Sequence, residues 1–471
     1  MTDPHFDITR RAFLRSSGLG LGAMALGELA SAEDGPGLVP SIAPRAKRVI
    51  WLHMAGAPPQ HDSFDPKPRL KELDRTPCPD SFLEGRRLAF IKGHPVLLGS
   101  PYGHRRVGSE GVLVGELFPH FASIADRVAI VRSMHTDQFN HAPAELLLFT
   151  GNAGFGGASM GSWFSWGLGS LQRDLPTFTV LVSGDSDPTG GKSLWGSGFL
   201  PSAHQGVQLR GKGDPILYVS DPRGMSRNLR RRTLDTLSRF NQAEHQKHGD
   251  PETLARIEQY ELAYRMQTSV PGVMDIENEP ESVREMYGAI PGQASFANNC
   301  LLARRLVESG VRFVQLFDWG WDIHGTGPHD DLMTAFPAKC KQVDQAAAAL
   351  VLDLERRGLL DETLVVWGGE FGRTSMNEAR GGSTYLGRDH HPDCFTIWMA
   401  GAGVHGGLVH GRTDELGYTI EEDPVSVRDL QATVLHLAGL DPFRLRYPYQ
   451  GLEQRLIGPA EGPRVVEELF S

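Results

Sequence analysis

Residues 311–325 read VRFVQLFDWGWDIHG and carry the pattern that decides the fold. Val, Phe and Leu dominate residues 311–317 without strict alternation, as is typical of a strand buried on both faces of a parallel sheet. Asp322 and His324 follow this strand after a short turn. The stretch therefore predicts a buried strand whose carboxyl end delivers polar side chains to the edge of a sheet.

The same pattern recurs along the chain. Five further apolar runs predict strands, and segments with helical spacing separate them. The strands are expected at 48–54, 128–132, 177–182, 363–367 and 395–399. Helices are expected at 115–126, 142–149, 227–246, 251–267, 295–308, 333–357 and 427–438. Strands alternating with helices predict a three-layer α/β/α sandwich with a mostly parallel central sheet.

The N-terminus resembles an export signal. Residues 9–15 read TRRAFLR, and a short glycine-rich apolar run follows and ends in Ala30-Ser31-Ala32. This order is typical of a twin-arginine signal peptide at residues 1–32, with residues 33–471 as the mature domain. An uncleaved anchor or an ordinary N-terminal helix is the alternative. The expected location is therefore periplasmic or secreted, with the twin-arginine translocase as partner during export and no transmembrane segment after cleavage.

The net charge and the cysteine spacing argue against a nucleic-acid-binding protein and against a cysteine-based zinc or redox site. The formal net charge of −10 argues against nucleic acid as a partner, and the basic run Arg230-Arg231-Arg232 is interpreted as a solvated helix face. The four cysteines form no C-x-x-C pair, so they predict neither a zinc nor a redox motif. Their pairing, if any, stays open.

Carboxylates and imidazoles cluster just past the predicted strands, where ligands bind in open α/β sheets. Four of the candidates follow predicted strands, and the other two lie immediately ahead of the last strand. Carboxylate and imidazole groups together suit a divalent cation. The expected metal ligands are Asp62, Asp322, His324, Glu370, His390 and His391, for one or two ions of zinc, manganese or calcium. Of the last two histidines, one is expected to face the site.

Competing interpretations accompany Asp62 and Glu370, and a third polar residue, His53, is expected to have no role in the site. Asp62 could instead cap a turn, since Asp favours such positions. Arg373 could pair with Glu370 and explain its charge. His53 lies inside an apolar strand and is expected to be a core histidine.

Several of these segments resemble the domain-of-unknown-function 1501 family. They include FDPKP at 64–68, DWGWDIHG at 318–325, GGEFGRT at 368–374, RDHHP at 388–392 and YPYQG at 447–451. Residues 429–440 are similar to the helix that closes many sulfatase domains. The resemblance implies an alkaline phosphatase-like core, and a fold alone implies no particular reaction.

The resemblance also suggests roles for individual residues. Glu370 stands where the related enzymes place an Asp-His pair, with Phe371 as the second residue. In related phosphodiesterases a nucleophilic threonine precedes Asn-His by three residues, where this chain has Asp137 and, one place earlier, Thr136. The context of Cys78 lacks the type I sulfatase motif, which excludes that subclass.

The leading hypothesis is an exported metal-dependent hydrolase of phosphate or sulfate esters, acting on a small anionic ester or glycan. Thr136 or a water held by the metal would attack. The anionic group would be held by Asn140, His141 and Arg373. The rivals are a catalytically silent envelope binding or assembly protein and a phosphomutase-like transferase.

Overall fold

The computed structural model describes residues 42–86, 88–184, 186–211, 225–249, 251–459 and 462–470. The predicted signal peptide lies outside these residues, as does part of the glycine-rich region 184–224. Every statement below concerns the described ranges.

A nine-stranded sheet forms the centre of the structure. Its strands are β1 (Arg48–Ala55), β5 (Val128–His135), β6 (Phe178–Ser183), β7 (Val207–Leu209), β8 (Phe313–Trp319), β9 (Thr363–Gly368), β12 (Phe395–Ala400), β13 (Val409–His410) and β16 (Val425–Ser426). The strand order is β13-β5-β12-β9-β1-β8-β6-β7, and β16 also pairs with β5. All six predicted strands belong to this sheet. β1 pairs in parallel with both β8 and β9.

β12 is the exception, because it runs antiparallel to both β5 and β9. The sequence pattern suggested a parallel strand here, since a strand with both faces buried is apolar throughout in either direction. The reversal matters for the site. It brings the start of β12, and the residues just before it, to the rim where the parallel strands end.

Both faces of the sheet are covered. Ile50, Leu52 and Met54 of β1 point into one hydrophobic core, while Val49 and Trp51 point into the other. The first core is covered mainly by α7 (Phe296–Glu308) and α8 (Ala335–Arg356), and the second by α2 (His141–Thr150), α3 (Met160–Leu168) and α9 (Val427–Leu437). The expected three-layer α/β/α architecture is confirmed.

The remaining elements lie around this sandwich. The other helices are α1 (Pro68–Glu72), α4 (Arg227–His248), α5 (Pro251–Met274) and α6 (Glu281–Tyr287). The shorter strands are β2 (Val96–Leu97), β3 (His104–Val107), β4 (Val112–Gly115), β10 (Gly372–Asn377), β11 (Arg388–His391), β14 (Arg412–Thr413), β15 (Ile420–Glu422), β17 (Tyr447–Tyr449) and β18 (Leu452–Gln454). β11, β10 and β2 form a small sheet beside the central one.

The helix predicted at 115–126 was wrong. The segment ends a short strand at Gly115 and then forms two 3-10 turns, His120–Ser123 and Ala125–Arg127. Pro119 removes one backbone donor and restricts the residue before it, so an α-helix cannot run through. The apolar side chains Phe118 and Phe121 are buried all the same.

All four cysteines lie within the described ranges. Cys78, Cys300, Cys340 and Cys394 are all free thiols and all buried. Among the helices that the structure describes, none combines the length and the apolar composition needed to cross a bilayer.

A buried ion network joins α7 to α8. Arg304 is 1% exposed, and its guanidinium contacts Glu279 at 2.6 Å, Glu308 at 2.6 Å and Asp353 at 2.9 Å. Removing one partner of such a network leaves the other charges buried without compensation.

We therefore expect Arg304→Ala to lower the free energy of unfolding by about 3–5 kcal/mol. Arg69→Ala is the control, since Arg69 forms an exposed ion pair with Glu72 and its removal should leave stability unchanged. Chemical unfolding followed by circular dichroism measures both. Equal effects of the two variants would contradict the assignment.

The 3-10 turn Ser202–His204 supplies a pH-dependent contribution to stability. Burial lowers the pKa of His204 to about 4, and its Nδ1 forms a 3.0 Å hydrogen bond with Ser165 Oγ. Between about pH 6.5 and pH 4 the unfolded chain takes up a proton that the folded chain does not, so stability falls as the pH falls. His204→Gln should reduce that loss by about 2 kcal/mol, as measured by unfolding at pH 7 and pH 4.5. A loss identical to that of the wild type would exclude His204 as its source.

Candidate metal centre

Asp322 lies in the loop that follows β8, at the carboxyl end of the sheet. The end of β1 approaches this loop closely at Gly56, whose φ is +107°. A Cβ at this position would stand 2.5 Å from the backbone nitrogen of Asp322. Only glycine allows both this conformation and this contact. Glycine at position 56 therefore lets the end of β1 pack directly against the backbone of Asp322.

Three imidazoles converge on the carboxylate of Asp322. Its Oδ1 lies 2.9 Å from Nε2 of His324, 3.2 Å from Nε2 of His141 and 3.3 Å from Nε2 of His390. The four ligand atoms all lie within 4.8 Å of one another. Three imidazole nitrogens and one carboxylate oxygen are a ligand set that zinc and related divalent cations use. We call these four residues the front group.

Each histidine of the front group is oriented by an acceptor on its other nitrogen. Nδ1 of His141 lies 2.5 Å from Glu370 Oε1, and Nδ1 of His324 contacts Glu378 Oε2. Nδ1 of His390 lies 2.7 Å from the carbonyl oxygen of Phe139. An acceptor at Nδ1 fixes the tautomer with the Nε2 lone pair free, as outer-shell partners do in metal sites. The arrangement therefore directs three Nε2 atoms at one point.

β11 and the reversed β12 explain how His390 reaches this point. His390 lies at the end of β11 and pairs with Arg373 of β10. Because β12 starts at the carboxyl rim of the parallel strands, β11 delivers its histidines to the same rim. His141 arrives from the opposite side, at the first residue of α2.

Arg373 has a different role from the one expected. Its guanidinium donates to Asp322 Oδ1 and to the carbonyl oxygens of Gly56, Ala57 and Arg388. The side chain is fully buried, so all of these bonds are internal. Arg373 therefore positions Asp322 and the end of β1, and it does not present a free fork to an anionic substrate.

The protonation equilibria follow from burial and from these contacts. Burial opposes ionisation of Asp322, but Arg373 and the three imidazoles hold its pKa well below the usual value. Burial also opposes protonation of His141, yet Asp322 and Glu370 raise its pKa to about 9. Burial lowers the pKa of His390 to about 4. Asp322 is therefore an anion and His390 a neutral imidazole at neutral pH, which are the forms that bind a cation, whereas His141 would have to release a proton when a cation binds.

A second group lies behind the first and is completely buried. His53 of β1, Glu145 of α2 and Glu370 after β9 bring their ligand atoms within 4.8 Å of one another. Each side chain is 0% exposed. We call these three residues the rear group. His53 was expected to be a core histidine, and it is buried as expected, but its neighbours are two carboxylates instead of apolar side chains alone.

Two expected ligands lie elsewhere. Asp62 forms a buried ion pair with Arg388, 2.8 Å from its Nε, so this carboxylate has a structural partner. His391 stacks on Tyr418 with ring centroids 4.3 Å apart, and its Nε2 lies 2.6 Å from the Tyr418 carbonyl oxygen. Adjacent residues of a strand point to opposite faces, which is why His390 reaches the front group and His391 does not.

The expected nucleophile region lies next to the front group along the chain. Thr136 is buried, and among the described residues its hydroxyl has no hydrogen-bond partner. Asp137 and Asn140 are exposed, with Asn140 at the N-terminal boundary of α2. Phe139 lies between them in sequence, and its carbonyl oxygen accepts a hydrogen bond from Nδ1 of His390. This segment therefore borders the opening of the front group.

Three residues of the site were missed in the sequence. Glu378 and Glu145 lie in segments that carry no distinguishing motif, and each acts through a tertiary contact. Arg380 is half-exposed, donates to Glu378 Oε1 at 2.5 Å and lies over the Phe90 ring. Its Nη2 lies 3.4 Å from Nδ1 of His324. Arg380 is therefore a half-exposed guanidinium on the Nδ1 side of His324, behind one ligand of the front group.

A substitution in the Asp62–Arg388 ion pair tests whether Asp62 stabilises the fold or binds the metal. Asp62→Asn should lower the free energy of unfolding by about 3–5 kcal/mol, because Arg388 would keep its charge without a carboxylate partner. Metal content per folded molecule should stay at the wild-type level. Unfolding and elemental analysis measure the two effects. The control is Asp80→Asn at a carboxylate that is 97% exposed, which should change neither quantity. A loss of metal without a loss of stability in Asp62→Asn would restore Asp62 as a ligand.

The comparisons with known proteins agree with the sequence resemblance at the level of family. The family described as "Protein of unknown function (DUF1501)" matches residues 46–470. A search of curated proteins finds no match.

Solved structures with a similar chain include three hydrolases. The PsFucS1 sulfatase from Pseudoalteromonas sp. is 12% identical, with 99% of this chain and 78% of that chain covered and a TM-score of 0.34. The alkaline phosphatase from the Antarctic bacterium TAB5 is 10% identical, with 83% and 98% covered and a TM-score of 0.32. The phosphonate monoester hydrolase SpPMH from Silicibacter pomeroyi is 11% identical, with 90% and 76% covered and a TM-score of 0.32.

Proposed function

The chain belongs to the DUF1501 family of proteins of unknown function, and we propose that it is an exported metal-dependent hydrolase of phosphate or sulfate esters. The cation would be held by the front group, His141, Asp322, His324 and His390. The observation that carries this proposal is the convergence of three Nε2 atoms on Asp322 Oδ1, each imidazole being fixed from behind at Nδ1.

The outer contacts favour a cation over a self-contained hydrogen-bond network. Nε2 of His141 has no hydrogen-bond partner among the described residues, although Asp322 Oδ1 lies 3.2 Å away. One carboxylate oxygen cannot satisfy three imidazoles and a guanidinium with good geometry at once. A divalent cation bound between these atoms would use all four lone pairs.

A cation in the front group would act as a Lewis acid on an ester oxygen and lower the pKa of a water molecule that it binds. The chain's own residues would do the rest. Glu370 and Glu378 accept the Nδ1 protons of His141 and His324 and hold their tautomers. Phe371, 4.6 Å from the His390 ring and 4.9 Å from the His141 ring, excludes water from one side.

Substrate charge would be met at the opening of the site. The Asp322 side chain is 27% exposed, so the front group is open to solvent on one side. We expect the half-exposed guanidinium of Arg380, beside His324, to meet the substrate there, since its planar donors suit a tetrahedral oxyanion. We expect Thr136 or a water molecule to attack the ester. Small anionic esters, including those of glycans, are the expected substrates.

Export is the part of the proposal that rests on the N-terminal sequence alone. Arg10-Arg11 before a short apolar run, ending in Ala30-Ser31-Ala32, supports transfer of the folded chain by the twin-arginine translocase and a periplasmic or secreted location. An export assay that compares the wild type with a double Arg10→Lys and Arg11→Lys variant would test it.

The enzymatic proposal predicts that His324→Gln loses its metal and its activity together. Removal of a direct ligand should weaken metal affinity and reduce turnover by more than about 100-fold, since even outer-shell partners contribute 10–100-fold. Elemental analysis and hydrolysis of aryl phosphate and aryl sulfate panels, with and without chelator, measure both. His391→Gln is the matched control, a buried histidine outside the front group that should retain metal and activity.

A catalytically silent binding protein is the second candidate. Arg373 already occupies one side of Asp322, and the apolar ring of Phe371 lies against two of the four ligands. Wild-type protein that binds a cation tightly and hydrolyses no member of the panels would support this alternative. Absence of both metal and turnover from the wild type would reject the metal centre itself.

A further inference from the structure

The rear group leaves its inward-facing atoms without hydrogen bonds. His53 Nε2 lies 3.4 Å from Glu370 Oε2 and 3.7 Å from Glu145 Oε1. Within the described part of the chain, neither of these two oxygens nor either ring nitrogen of His53 has a hydrogen-bond partner. Four polar atoms that are buried and unsatisfied in one place require an explanation, because such groups are rare in folded proteins.

The outward-facing oxygens of the same two carboxylates are fully engaged. Glu145 Oε2 accepts from Thr189 Oγ1 at 2.7 Å and from the Gly190 backbone nitrogen at 2.6 Å. Glu370 Oε1 accepts from the Gly56 backbone nitrogen at 3.0 Å and contacts His141. The backbone therefore holds one oxygen of each carboxylate, and the other oxygen is directed at His53.

The separations within the rear group fit coordination better than hydrogen bonding. A nitrogen–oxygen hydrogen bond has a length of about 2.7–3.2 Å, and both gaps are longer. Around a tetrahedral zinc ion with bonds of about 2.0–2.1 Å, neighbouring ligand atoms lie roughly 3.3–3.4 Å apart. His53 and Glu370 are at this spacing, and Glu145 is a few tenths of an ångström beyond it.

The charge of the rear group also favours a cation. Even a protonated His53 offsets only one of the two carboxylates. This step rests on the proposed function, since a cation in the front group keeps His141 neutral and unable to offset Glu370. A divalent cation with neutral His53 and two carboxylates has no net charge.

We propose that the rear group is a second metal site, in which His53 Nε2, Glu145 Oε1 and Glu370 Oε2 bind a divalent cation of the zinc class. Glu370 joins the two sites, because one of its oxygens orients His141 and the other faces His53. The alternative is a metal-free relay in which a protonated His53 lies between the two carboxylates.

Unfolding of the full chain in chelator, refolding with excess zinc, removal of free zinc and elemental analysis distinguish these possibilities. The wild type should retain two molar equivalents of zinc and Glu145→Gln one, with a smaller zinc-induced rise in the midpoint of thermal unfolding. The Gln carbonyl can still accept from Thr189 and Gly190, so the variant should fold. His53→Asn should also retain one equivalent of zinc, and its zinc content serves as the test if Glu145→Gln does not fold.

Two further variants separate this inference from the proposed function. His324→Gln should lose the front equivalent only, and His391→Gln, the buried control, should retain both. One equivalent in the wild type that His324→Gln abolishes and Glu145→Gln retains would overturn the rear site and leave the front site intact. Full zinc content in His324→Gln together with a loss in Glu145→Gln would instead overturn the front site.

Discussion

The carboxylate of Asp322 is the contact on which the rest of the site depends. It meets Arg373 from β10, His390 from β11, His141 from α2 and His324 from its own loop. These residues are far apart in sequence, and one anion brings them to a common point. Arg373 in turn holds the carbonyl groups at the end of β1. The position of one side chain thus links the central sheet to the smaller one.

The fold was largely predictable because buried strands have a recognisable local composition. Each of the six predicted strands is an apolar run, and burial on both sides of the sheet requires that composition wherever the strand lies. The direction of a buried strand does not affect its composition, so the antiparallel orientation of β12 could not be predicted. The error at 115–126 has a local cause, because apolar spacing suggested a helix and Pro119 prevents one.

The candidate site was predictable in part, for a related reason. Asp322, His324, Glu370 and His390 follow or precede strands directly, and sheet geometry alone brings them to one rim. Asp62 has a similar position, but the buried Arg388 claims its carboxylate. Glu145 and Glu378 were missed because each depends on a tertiary contact, with His53 and with His324 respectively. Such pairings are a property of the folded chain and have no spacing along the sequence.

The complete burial of His53 and its two carboxylate neighbours affects when a metal ion could enter or leave this position. An ion that occupied this interior position could not exchange directly with solvent, so its departure would be governed by how often the surrounding structure opens. Loading would then take place while the polypeptide folds, and the ion would be chosen by the metal supply of the compartment in which folding occurs. Under the export that we propose, that compartment would be the cytoplasm, and the choice would persist in an exterior whose metal content is different.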